Sequence, residues 1–155
     1  MDVLQLIKQY NRDNLAQLGL VSQEIGTANF KTFWQQYRRQ LLAQVMIERE
    51  YLYPEVAVVS KTAQATIAQL EANLVQLVKL VKQLDAALVE ANLSEYQGIA
   101  EQLGLLVQGH VAKQEDKLIP LIRQSMSTEE REELSQVFQD ALEDFLNSER
   151  MECAV

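Results

Sequence analysis

Apolar and polar positions step along the chain at intervals of three and four. Leu4, Ile7, Asn11, Asn14, Leu18, Val21 and Ile25 share one stripe that ends at Gly26-Thr27, the pattern of an amphipathic helix. A second helix is expected from near Asn29, with Phe30, Phe33 or Trp34, Tyr37, Leu41, Gln44, Glu48 and Tyr51 on one face. It should kink or stop at Pro54, which lacks an N–H and clashes with the preceding turn. After a turn near Ser60, Ile67, Leu70, Leu74, Leu77, Val81, Leu84 and Leu88 form the cleanest heptad seam in the chain. Asn92-Leu93-Ser94 breaks it, with Ser94 the expected N-cap. The fourth helix carries Ile99, Leu103, Leu106, His110, Gln114, Lys117 or Leu118, and Leu121, with Pro120 near its end. Ser127-Thr128-Glu129-Glu130 then has capping-box spacing, opening a fifth helix on Leu134, Val137, Phe138, Ala141, Leu142 and Phe145.

Four long helices with short connections predict an all-α fold, an antiparallel up-down-up-down four-helix bundle with an additional C-terminal helix across an end or flank. No internal repeat, low-complexity tract or linker divides the chain, so residues 1–155 are expected to form a single domain. Only 5 Gly and 2 Pro interrupt the helix-forming majority. A formal charge of −8 argues against nucleic acid or an anionic membrane surface as the partner. No apolar run approaches the roughly 18 residues of a membrane span. Met1-Asp2-Val3-Leu4 lacks a basic leader, and a cytoplasmic location is expected. One Cys (Cys153) and one His (His110) exclude an internal disulfide, a Cys-rich metal knuckle and a multi-His site.

Three of the four seams turn polar where the pattern assigns core: Asn11 and Asn14, Gln44 and Glu48, His110 and Gln114. Counting from the turns at about 1.5 Å per residue puts Asn14, Gln44, Glu48, Leu74 and His110 near one level of the bundle. Buried polar groups cost about 1–3 kcal/mol each when unsatisfied, so they are expected to converge. Such a cluster is either a closed hydrogen-bond network or a binding site.

The segment His110-Val111-Ala112-Lys113-Gln114-Glu115-Asp116-Lys117-Leu118-Ile119-Pro120, followed by Met126-Ser127-Thr128-Glu129-Glu130, resembles the last metal-binding helix of hemerythrin-like (HHE cation-binding) domains. Ile47-Glu48-Arg49-Glu50-Tyr51-Leu52-Tyr53-Pro54 is similar to the family's second helix, and Leu6 to Asn14 to its first. The resemblance implies a bundle built to hold non-haem di-iron on several His and two bridging carboxylates. The expected first-helix His falls on Asn11 or, less well, Asn14. The second-helix His and Glu become Gln44 and Glu48, and the third-helix His pair falls on Leu74 and Val78. On the fourth helix His110 is retained, with Glu115 five residues on and Gln114 four.

The resemblance thus implies a bundle whose di-iron site is largely lost, since Leu74 removes the ligands of a whole side. The expected function is that of a non-catalytic binding, sensory or interaction module with no cofactor and an unknown protein or small-molecule partner. The alternative is an iron- or oxygen-sensing or sequestering protein with a single iron or other divalent metal on Glu48, His110 and Glu115. Without the family pattern, His110 reads more simply as a satisfied or half-exposed residue than as a ligand. The aromatic run on the second helix reads as core, or as a small-molecule pocket or partner surface. Arg38, Arg39 and Arg49 read as surface pairing, and Glu129, Glu130, Glu132 and Glu133 as charge suited to a helix N-terminus. No catalytic triad, Gly-rich phosphate loop, haem-attachment motif or ExxH repeat is present.

Overall fold

A computed structural model describes residues 1–148; Cys153 lies outside them. Among the described residues the chain forms five helical rods. The first is α1 (Val3–Gln23). The second, residues 30–59, joins α2 (Phe30–Ile47) through a π-helical turn (Glu48–Leu52) to α3 (Tyr53–Val59). The third is α4 (Gln64–Val89). The fourth, residues 93–125, repeats the device: α5 (Leu93–Lys113), a π-helical turn (Gln114–Leu118), then α6 (Ile119–Ser125). The fifth is α7 (Thr128–Leu146).

Each rod's seam explains its packing. α4 lies between α2 and α5, α1 closes the ring against α2 and α5, and α7 lies along the flank made by α1 and α2. Ile67, Leu70, Leu74, Leu77, Val81 and Leu84 of α4 are all buried, as the heptad predicts. On the fourth rod the buried stripe runs Leu103, Val107, His110, Gln114 and Leu118, so Val107 takes the inward position expected of Leu106, which is only partly buried. Tyr10 stacks on Phe138 with ring centroids 5.3 Å apart, fastening α7 to α1. Trp34, Tyr37, Tyr53 and Phe30 are among the largest fully buried side chains and form core, while Phe33 and Tyr51 are partly buried against it.

The helix ends follow their capping chemistry. The Asp2 carboxylate accepts from the Leu4 N–H at 2.9 Å, and Ser127 and Glu130 form the reciprocal capping box. α5 is capped by Asn92, whose side chain accepts from the Glu95 N–H, not by Ser94. Both residues suit the role, but Asn92 is the one with extended backbone before the first helical turn. In the α1–α2 turn Gly26 sits at φ +86, where a side chain would be strained. Its N–H donates to the Tyr96 hydroxyl at 3.2 Å, and Tyr96 stacks on Phe30.

Neither Pro54 nor Pro120 ends its rod. Each sits in the first turn of a short helix that follows a widened turn. The Tyr53 N–H bonds to the Glu48 carbonyl and the Ile119 N–H to the Gln114 carbonyl, five residues back in both cases. The extra residue in the turn takes up the missing proline donor and the ring's bulk without breaking the rod.

Candidate functional site

Both widened turns begin at a polar side chain of the central layer, Glu48 on one rod and Gln114 on the other. Both are buried, and the Gln114 amide donates from Nε2 to Glu48 Oε1. The same amide nitrogen donates to the Tyr53 hydroxyl at 2.7 Å. His110, one α-helical turn before Gln114, places Nε2 3.2 Å from Glu48 Oε2 and 3.2 Å from the Tyr53 oxygen. Glu48 can only accept, so in a neutral ring the hydrogen sits on Nε2 and Nδ1 keeps a bare lone pair. Desolvation first, and then the negative charge of Glu48, push the Tyr53 phenol well above its ordinary value. It therefore stays a neutral hydroxyl beside the carboxylate.

A second network lies between α1 and α2. The Tyr37 hydroxyl donates to Asn14 Oδ1 at 2.6 Å, Asn14 Nδ2 donates to Gln44 Oε1 at 3.4 Å, and Gln44 Nε2 donates to Asn11 Oδ1 at 3.4 Å. Burial pushes the Tyr37 phenol up as well. The two networks meet across a small void lined by Asn14, Gln44, Glu48 and His110 together with Leu41, Val45, Leu77 and Val107. Satisfaction is incomplete, for Asn11 Nδ2, His110 Nδ1 and Gln114 Oε1 are buried without hydrogen-bond partners.

Glu115, expected beside Glu48 and His110, is only half-buried and lies within the widened turn Gln114–Leu118. At α pitch five residues would already carry it about 140° around the axis from His110. Among the described residues no three His, Cys, Asp or Glu side chains are grouped closely enough to hold a metal ion. On α4 the side chain at the void is Leu77; Leu74 is buried nearby and Val78 is partly buried. Tyr53 is the member that the periodicity misses, because at α pitch it would point away from Glu48. The widened turn brings it alongside, and a Pro directly after an aromatic residue is the one sequence signal for it.

The helix order, the two proline-bearing rods and the Glu48–His110 contact agree with one known family. The model of the hemerythrin HHE cation-binding domain matches residues 2–122. The chain belongs to that family. No significant match to a curated protein or to a solved structure was found. A hemerythrin-type metal centre needs imidazole and carboxylate donors from all four rods. In this hemerythrin-like chain α1 offers amides, α4 offers Leu77, and the single imidazole faces Glu48, the one buried carboxylate among the described residues. That donor set does not fit a di-iron centre.

Proposed function

We propose that this is a non-catalytic hemerythrin-like protein in which a hydrogen-bonded polar layer replaces the di-iron centre. On this reading it acts in the cytoplasm as a binding, sensory or interaction module without a resident metal. The observation that carries the reading is the pairing of Glu48 with His110 and Gln114 opposite Leu77. The two groups able to ligate a metal are turned toward each other, and one wall of the layer holds no donor at all. To turn toward a metal, the Glu48 carboxylate would have to give up a buried hydrogen bond, which is worth about 1.5–3 kcal/mol when one partner is charged.

The test is metal content by mass spectrometry on protein purified without chelator or affinity tag, paired with melting curves with and without added iron, zinc and manganese. The expected result is no stoichiometric metal and no metal-dependent rise in melting temperature. One equivalent of a divalent metal, lost on Glu48→Gln and His110→Ala, would establish a residual mononuclear site instead.

A further inference from the structure

The inner void shares part of its wall with a groove on the molecular surface. That groove, with about 260 Å³ of space, runs between α1 and α2 and is lined by Tyr10, Asp13, Gln17, Tyr37 and Gln40, and by Asn14, Leu41 and Gln44. The last three also line the inner void. Three side chains therefore separate solvent from the face of the layer that holds His110 and Glu48. Of these, Leu41 is buried, Asn14 and Gln44 are half-buried, and the amide hydrogen bonds at this partition are long, both 3.4 Å. Bonds of that length lie beyond the usual N–H···O range of about 2.7–3.2 Å and are weak ones to open. Tyr37, held at 2.6 Å on Asn14, is the firm post of the partition.

Behind the partition the void offers about 10 Å³ for a water's centre, at the lower edge of what one water-sized molecule needs. Its walls are not those of a dry cavity. Glu48 and His110 line it along with the apolar Leu77 and Val107, and His110 Nδ1 is buried and unpartnered. A bare ring nitrogen accepts a hydrogen bond, and the Asn14 and Gln44 amides supply both donors and acceptors.

We propose that the polar layer is a solvent-fed pocket, in which Asn14 and Gln44 admit a single water-sized, neutral hydrogen-bonding molecule from the α1–α2 groove to His110. This rests on the reading that the layer is not an iron centre. The ligand class follows from three features: a volume that excludes solutes larger than water, an unpartnered buried ring nitrogen on His110, and the mixed donor and acceptor character of the amide gate.

Having a single histidine makes the test unambiguous, because every imidazole signal belongs to His110. Exchange of its ring C2 proton in D2O should proceed without global unfolding and be insensitive to low urea. Leu41→Phe, which adds bulk to the shared wall and spares the amides, should slow that exchange about tenfold, while Gln44→Ala should speed it, as expected of a local opening. Cross-relaxation between water and the His110 ring should show a water held longer than bulk solvent, and hydroxylamine and glycerol, both too large for the void, should leave the His110 Nδ1 resonance unshifted. Exchange that tracks global unfolding in all three proteins, a His110 ring without a cross-relaxing water, or a saturable hydroxylamine shift overturns the proposal. Stoichiometric iron in the purified protein would instead sink the reading beneath it, so the two failures are distinguishable.

Discussion

Removing one oxygen atom separates the buried network from a mere contact of side chains. Tyr53→Phe deletes a hydroxyl from a fully buried ring and keeps the ring itself. The hydroxyl accepts from Gln114 at 2.7 Å and lies 3.2 Å from His110 Nε2. Both partners keep Glu48 as an alternative, so the loss at neutral pH should be near the ordinary net value of a buried hydrogen bond, about 1–2 kcal/mol. For a domain of this size that is a fall of about 2–8 °C in melting temperature. The pH dependence supplies the sharper readout. Burial and the Glu48 charge raise the folded-state phenol well above 10, so the stabilisation is fully present below the unfolded value near 10 and erodes above it. There the unfolded chain releases a proton that the folded chain retains, and wild-type stability falls by about 1.4 kcal/mol per pH unit relative to the variant. Urea denaturation at pH 7, 9, 10 and 11 should show a constant gap up to about pH 10, then curves that converge and cross at about pH 11. Tyr37 is common to both proteins and cancels. Curves that stay parallel through pH 11 would mean that Tyr53 ionises as readily folded as unfolded, and the buried network would be refuted.

Three further outcomes are expected. Leu77→Ala should destabilise by about 2–5 kcal/mol through cavity formation at the void wall, read from chemical denaturation; a loss below 1 kcal/mol would show that the layer can collapse around the site. His110→Ala should lower stability by about 1–3 kcal/mol, because Glu48 loses a buried donor, with metal content unchanged; an unaltered denaturation midpoint would place the imidazole outside the network. Ser127→Ala should cost about 1 kcal/mol by removing one half of the capping box, and Glu130→Gln should be milder, its carboxylate being lowered chiefly by the Ser127 backbone hydrogen bond; helix-resolved hydrogen exchange at the start of α7 would register both.

The rods were legible because a seam such as Ile67 to Leu84 has no reading other than a buried helix face. The capping box at Ser127 was legible for the same reason, its donors and acceptors being local in sequence. Legibility ended where the winding changed. Counting at 3.6 residues per turn cannot see a five-residue hydrogen bond, so Tyr53 read as one aromatic among several. Glu115 was assigned by family spacing, which fixes a residue's number but not its rotation about the axis. Val107 replaced Leu106 at the inward position because neighbouring apolar residues leave the phase of a seam uncertain by one. The resemblance located Glu48 and His110, but only coordinates show them turned toward each other at 3.2 Å.

The two widened turns also bear on charge. Each occupies five residues, each has a proline two residues after it, and each begins at the polar side chain that enters the layer. Glu48 and Gln114 thus hold corresponding places on two rods, and their side chains touch. An acid at both places would set two buried carboxylates side by side, stable only with a shared proton or a cation between them. With one of the two an amide, the pair bonds directly and carries a single negative charge. The difference between a layer that demands a counter-ion and one that closes on itself therefore comes down to the oxygen or nitrogen at one terminal position of residue 114.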